Sequence, residues 1–350
     1  MRTATIGNHR IGEGHPPFFV AELGICHGGK VDVALQLTEE AVKAGAHCIK
    51  TETFQRQAIV LDPSITTNHL IGGERITEPL IEHMEKYELT FDEHHRIKKK
   101  CDDLNIPFMA TAHDFEAVDF LVDIGAAAVK ISSPDIIHFP LLRYVASKEI
   151  PIVMDTGGAF QYEVEIAVKT LRENGATNLI VNHNPAGHPA AADQHDLRII
   201  PRLREILELP IGIADHYAGY EMLYAAAALG ANLLEKPISE DRFVPEPERS
   251  WSITMTDLAE VLLTVSRIHQ ALGRAERVLS KQAQQYRNAN RMACAAARDL
   301  PAGADISLAN ITFGRPRNGI GVEYWDLIEG KKLRRAKLRR EYIQWEDLDG

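Results

Sequence analysis

The chain is poor in cysteine: four in 350 residues (Cys26, Cys48, Cys101 and Cys294), with no CxxC pair. That scarcity argues against a disulfide framework or a zinc knuckle and points to a reducing, cytoplasmic setting. Long apolar runs are missing as well. None approaches the roughly 18 residues of a membrane span, and the opening MRTATIGNHRIGEGH holds no apolar signal-peptide core. No membrane partner is expected. Positive charge is in deficit, 39 Lys and Arg against 49 Asp and Glu for a net charge of −10, which argues against a general nucleic-acid binder. One segment, Lys331–Arg340 (KKLRRAKLRR), carries seven basic residues in ten. Its expected role is the solvated face of a small domain, with an anionic partner as the alternative.

What the chain does have is eight short stretches that read as buried β-strands: Phe18–Gly24, Cys48–Phe54, Pro107–His113, Ala127–Ser133, Pro151–Gly157, Asn178–Asn184, Pro210–His216 and Asn232–Ser239. Most end in a polar or ionisable cluster, and a helical stretch separates each from the next. Charge confined to the C-terminal ends of parallel strands is where a (β/α)8 barrel builds its active site. An α/β fold of the TIM-barrel type is therefore expected over residues 1–273. Val33–Ala44, with Gly45 as its C-cap, and Phe91–Leu104, with Thr90 and Glu93 as a capping box, fit the intervening helices. So do Gly219–Leu229 and Thr256–Leu272. Arg56–Lys86, after the second strand, reads as a long irregular loop, a lid or binding loop. Residues 274–291 are polar and read as a linker. Residues 292–350 read as a small, strand-poor, turn-rich domain.

The strand ends supply the candidates. Glu22 ends the first strand, and Lys50 and Glu52 end the second. Lys130, Ser132, Ser133 and Asp135 follow the fourth, and Asp155 and Thr156 the fifth. Asn182, His183 and His188 surround the sixth, and Asp215 and His216 end the seventh. Glu235 and Lys236 sit on the eighth, with Asp241 and Arg242 just beyond. Any one of these is as readily a structural ion pair. Together they are costly to bury unless they pair or bind a ligand. Two lysines at one mouth imply an anionic ligand, a phosphate or a carboxylate. His216 and Glu235, from adjacent strands, could share a divalent metal of borderline hardness such as Mn²⁺ and leave positions open for substrate. The residues alone reach a barrel enzyme acting on a small anionic substrate.

The motifs AELGICHGG, IKTETF, VKISSPDIIHFPLL, PIVMDTGGA, LPIGIADHYAG and LEKPISEDR, in that order, resemble those of the sialic acid synthase family, close to its spore coat polysaccharide biosynthesis variants. The tail AAARDLPAGADISLANITFGRPRNGIGVEYWDLIEGKKL resembles the antifreeze-like (SAF) domain, of β-clip type, that follows the barrel in that family. The resemblance implies condensation of phosphoenolpyruvate with an aldose to a 2-keto-3-deoxy sugar acid. It also implies a divalent metal, Mn²⁺ or Mg²⁺, and a domain-swapped homodimer. By position it makes Glu22, Asp215 and Glu235 the catalytic set. Lys50, Glu52, Lys130, Ser133, Asp135, Asp155, His188, Asp241 and Arg315 become substrate-binding, and His216 a metal ligand. Arg315 would enter the barrel of the dimer partner. The chain departs from the family pattern at Pro237 (the second metal histidine), Glu52 (a glutamine), Asp155 (a phosphate-binding serine), Cys26 (an asparagine) and His188 (a tyrosine). These departures admit two other readings: a barrel aldolase or lyase using a different donor, and a non-catalytic sugar-binding paralogue.

Overall fold

A computed structural model of the chain describes residues 3–185, 187–241, 243 and 246–349. It divides after Gly273 into two compact units.

The first unit opens with an antiparallel hairpin, β1 (Thr3–Ile6) and β2 (His9–Gly12). The barrel begins with β3 (Phe18–Gly24) and β4 (Cys48–Thr53). A second antiparallel hairpin follows, β5 (Thr66–Ile71) and β6 (Glu74–Pro79). The barrel then continues through β7 (Phe108–Ala112), β8 (Ala128–Ile131), β9 (Ile152–Asp155), β10 (Leu179–His183), β11 (Ile211–Ala214) and β12 (Leu233–Pro237). β12 pairs back onto β3 and closes an eight-stranded parallel barrel. All eight stretches expected from the sequence are its strands.

Successive residues of a strand face opposite sides of the sheet, and that period sorts the barrel into two cores. Outward residues such as Ala21, Leu23, Ile49, Ile131, Ile213 and Leu234 pack against the helices. Inward residues form a separate cluster of Phe18, Val20, Cys48, Met109, Ala128, Val153, Ile180 and Leu233, plugged by Ala4, Ile6 and Ile11 of the first hairpin. Two residues further along the same inward faces stand Glu22, Lys50, Thr111, Lys130, Asp155, Asn182 and Glu235. The barrel interior is thus apolar at its base and ionisable at the C-terminal ends of its strands, the face at which such folds do chemistry.

The helical boundaries follow from local chemistry. Helix Val31–Ala44 ends at Gly45 in the left-handed region, φ +97°, where the missing Cβ removes the steric cost. Helix Phe91–Asp103 starts with Thr90 and Glu93 capping each other's backbone N–H at 3.3 and 2.8 Å. Two expectations are corrected. Residues 56–86 are not irregular: they form a short helix (Arg56–Ile59), the β5–β6 hairpin and helix Leu80–Tyr87. The stretch read as a linker contains helix Lys281–Asn290, capped by Ser280, whose side chains are not buried. A helix polar all round gives no apolar stripe to detect.

Besides helix Lys281–Asn290, the second unit pairs β13 (Ala293–Ala296) with β14 (Ile311–Gly314) and adds a short helix (Trp325–Ile328), turns and isolated bridges around a small core of Cys294, Ile306, Ile320, Ile328 and Ile343. Most of the basic run is exposed here. Its one buried member, Lys337, is held by Asp347 at 2.6 Å and Glu341 at 3.0 Å. Among the described residues no helix is long and apolar enough to cross a membrane.

Candidate active site

A cavity of about 440 Å³ opens at the C-terminal end of the barrel, lined by residues from six of its eight strands and the loops that follow them. Two lysines organise its floor. Lys50 on β4 donates to Glu22, its register partner on β3, and lies 3.3 Å from Glu235 and 3.6 Å from Glu52. Lys130 on β8 donates to Glu235 and lies 2.8 Å from Asp155. Burial works against the ammonium of each lysine. The surrounding carboxylates outweigh it, and both are held above the ordinary lysine pKa, Lys50 well above. Both are therefore fixed cations. Asn182 ties the ring together, donating to Asp155 at 3.1 Å and to Glu235 at 3.4 Å.

The walls are polar but less charged. Ser133 accepts from the Gly157 N–H at 2.9 Å, which joins the turn after β8 to the turn after β9. The Thr111 hydroxyl makes no hydrogen bond among the described residues although it lines the cavity. Burial, with Glu235 adding to it, raises Asp155 to about 6 against the pull of Lys130. His216 and His188 lie against each other at the rim, ring centroids 4.2 Å apart and planes tilted by 38°, beside Trp251. Burial lowers both, His216 to about 3, so both are neutral imidazoles, and the His216 Nδ1 has no hydrogen-bond partner among the described residues.

Not every expected site residue reaches this cavity. Glu22, Lys50, Glu52, Lys130, Ser133, Asp155, His188, His216 and Glu235 line it. Asp215 does not. It follows Ala214 by one residue and so faces the helix layer, where it is fully buried between Lys236 (2.7 Å) and His195 (3.1 Å). Asp135 turns aside to His113 (2.9 Å) and the Ser132 hydroxyl (2.6 Å). Asp241 is solvent-exposed and paired with Arg249 at 3.0 Å. His183 bonds the His195 carbonyl in the core. Arg315 lies in the second unit, exposed, 3.2 Å from Asn290. Arg242 falls outside the described residues. Pro237 offers no donor.

Three polar cavity residues were missed: Thr111, Asn184 and Glu248. Glu248 lies in a 3₁₀ turn (Pro247–Ser250) beyond the last strand and accepts from the Ile25 N–H at 2.9 Å. Burial, then Glu22, Glu52 and Glu246, push its carboxyl well above the ordinary range. A reading confined to strand ends could not find it. Its acidic neighbour Glu246 in a Pro-flanked segment was the only signal.

A parallel barrel whose mouth holds fixed cations among carboxylates, followed by a smaller unit, defines the class: a TIM-type barrel with an appended C-terminal domain. The chain matches the NeuB family over residues 37–277 and a SAF domain over residues 291–349. It belongs to the NeuB family. It is 26% identical over 336 residues to the N,N'-diacetyllegionaminic acid synthase of Legionella pneumophila, covering 95% of this chain and 94% of that one. It is 31% identical over 265 residues to the spore coat polysaccharide biosynthesis protein SpsE of Bacillus subtilis, covering 75% and 70%. Among solved structures, the N-acetylneuraminic acid synthetase of Leptospira borgpetersenii in complex with citrate superposes with a TM-score of 0.73 at 27% identity, covering 82% of this chain and 96% of that one. The fold and the family are those of sialic-acid-type synthases.

Proposed function

We propose that the chain condenses phosphoenolpyruvate with an aldose, N-acetylmannosamine-like or a related amino sugar, to give a 2-keto-3-deoxy sugar acid and phosphate for surface polysaccharide biosynthesis. The observation that carries this reading is the pair of buried, permanently charged lysines facing one cavity. Lys50 and Lys130 can exchange a carboxylate partner for the phosphate and carboxylate of the donor, and charge-assisted bonds of that kind are among the stronger ones in proteins. Ser133 and Thr111 would take further phosphate oxygens. C3 of the donor forms the new bond to the aldehyde carbon. Water adds at C2, and the C–O bond to phosphate breaks. Glu22 is the carboxylate placed to accept the proton of that water. Glu248, whose carboxyl burial raises well above the ordinary range, is placed to give one to the developing alkoxide.

The neutral imidazoles of His216 and His188 suit a divalent ion of borderline hardness, Mn²⁺ with substrate oxygens completing its shell, and the Nδ1 of His216, unpartnered among the described residues, supports this. Such an ion would polarise the aldehyde oxygen as a Lewis acid. His188 would then stand in for the donor that Pro237 lacks. Arg315 would act in the barrel of a second copy within a domain-swapped homodimer; its exposed position beside Asn290 supports that reading.

A second reading, a lyase or aldolase with a less anionic donor, is favoured by Asp155, an acid beside Lys130 where a trianion would need to sit. The deciding assay is phosphate release from phosphoenolpyruvate with a panel of aldoses, with and without Mn²⁺. Sugar-dependent release supports the synthase. No release from folded protein with any sugar rejects it in favour of the second reading.

A further inference from the structure

The hairpin β5–β6 and the helix after it carry a side-chain cluster that the condensation does not use. Along β5 and β6 alternation puts Thr67, His69, Ile71, Ile76 and Glu78 on the half-buried face and their neighbours Asn68, Leu70 and Thr77 in solvent. Thr67 pairs with Glu78 and His69 with Ile76, so His69 and Glu78 are diagonal neighbours on one face. Helix Leu80–Tyr87 then turns His83 onto the same spot. Glu78 Oε1 lies 2.9 Å from His83 Nδ1 and 3.5 Å from His69 Nε2, and the two imidazole centroids are 4.4 Å apart. Lys86 occupies the other oxygen of Glu78, Oε2.

The side chain of His69 is only 10% exposed, yet neither of its ring nitrogens makes a hydrogen bond among the described residues. Burying an imidazole in that state is unfavourable, and buried polar atoms left without partners call for an explanation. A ligand bound at Nε2 would supply one.

We propose that His69, Glu78 and His83 form a binding site for a divalent ion of the zinc type. Ligand bonds of roughly 2.0–2.1 Å in a tetrahedron place donor atoms about 3.3 Å apart. The two measured separations from Glu78 Oε1, 2.9 and 3.5 Å, bracket that edge. Two imidazoles and one carboxylate oxygen suit zinc, and they do not suit calcium or magnesium, which require oxygen-rich shells. Three protein donors leave one position for water. The ion would pin both strands of the hairpin to the helix. β5 also packs against the turn Pro247–Ser250, which carries Glu248 into the cavity wall. The site is therefore a clamp beside the barrel mouth, separate from the His188–His216 pair.

The test uses the full chain, stripped with chelator and dialysed, then titrated with Zn²⁺ by calorimetry and with Co²⁺ by its visible d–d bands. One equivalent of zinc beyond that held by the His188–His216 pair, and a tetrahedral cobalt spectrum, are expected. His69→Ala and His83→Gln should each remove that equivalent and the tetrahedral bands, and His216→Ala should leave both in place. Lys86→Ala, which removes a competing cation from an exposed side chain, should tighten zinc binding by roughly tenfold. Signals retained in the two hairpin variants, or lost in His216→Ala, overturn the proposal. Circular dichroism checks that the variants fold. If they do not, amide exchange of the unmodified chain over residues 66–87 decides: slowing by Zn²⁺ supports the clamp, and unchanged exchange removes it.

Discussion

Asp155 offers the sharpest test of how the barrel mouth handles charge. Its carboxylate is 2.8 Å from Lys130, and burial raises it to about 6. Consider an anionic ligand that takes a Lys130 proton on the side away from Asp155. The two negative oxygens would then sit about 5 Å apart, and at an effective dielectric near 20 each pair of unit charges repels by about 3 kcal/mol, or roughly two decades in affinity. Asp155→Asn removes that repulsion and keeps a polar partner for Asn182. At pH 7.5, above the raised pKa, Asp155 carries its charge, and the variant should bind phosphoenolpyruvate up to about 100-fold more tightly. Below about pH 5 Asp155 is neutral in the unmodified chain, and the two proteins should converge. The affinity of the unmodified chain should therefore rise as pH falls through 6, and that of the variant should not. The ligand phosphate itself titrates in this range, so the same series is run with sulfate, which keeps its charge. Isothermal calorimetry from pH 5 to 8 reads both. Parallel profiles, or weaker binding by the variant at every pH, would show that Asp155 assists the anion, and the repulsion argument would fail.

Lys236→Met should destabilise the barrel by about 3–5 kcal/mol in urea unfolding, because it leaves Asp215 buried with a missing cation; a loss below about 1 kcal/mol would mean that His195 alone satisfies that carboxylate. Gly29→Ala puts a Cβ 2.1 Å from the Lys86 carbonyl oxygen in a residue at φ +70°. A cost of about 1–3 kcal/mol with faster amide exchange over residues 80–87 is expected, and unchanged exchange would show that the helix end yields freely. Arg315→Ala should lower turnover while sedimentation shows an unchanged oligomer, and normal kinetics would take the second unit out of the reaction.

Most of the barrel was legible because its strands are short apolar runs ending in charge, and the fold requires that pattern at only one end. The β5–β6 hairpin was not. Its half-buried face mixes Ile71 and Ile76 with Thr67, His69 and Glu78 while Leu70 is exposed, so hydrophobicity does not follow the period of two, and only Gly72–Gly73 marked the turn. Position on a strand predicted the site as long as parity was respected. Glu22, Lys50, Lys130, Asp155 and Glu235 share the inward parity. Asp215 is one residue out of phase with Ala214 and faces the helices, although its sequence context, ADH, gives no sign of it. Glu248 was beyond reach for another reason. A 3₁₀ turn after the last strand has no periodicity, and only the fold brings it over Cys26 and Glu22.

The departures from the family pattern become coherent once the charges at the mouth are considered together. Two ammonium groups face five carboxyls there: Glu22, Glu52, Asp155, Glu235 and Glu248. A cavity with all five ionised would repel any anion, and two lysines could not reverse that. Two of the five, Asp155 and Glu248, have raised pKa values for the same cause, burial among like charges. The excess acid is thus easier to neutralise than ordinary carboxylates: Asp155 takes up its proton as pH falls through about 6 and then donates a hydrogen bond instead of repelling. Glu52 stays a carboxylate against its burial because Lys50, His113 and Lys130 hold it below the ordinary range. On the proposed reading the substitutions toward acid therefore leave an anion site in place. They would convert it into one whose affinity depends on protons, and an arriving phosphate or carboxylate would raise the pKa of its acidic neighbours further and draw a proton in with it.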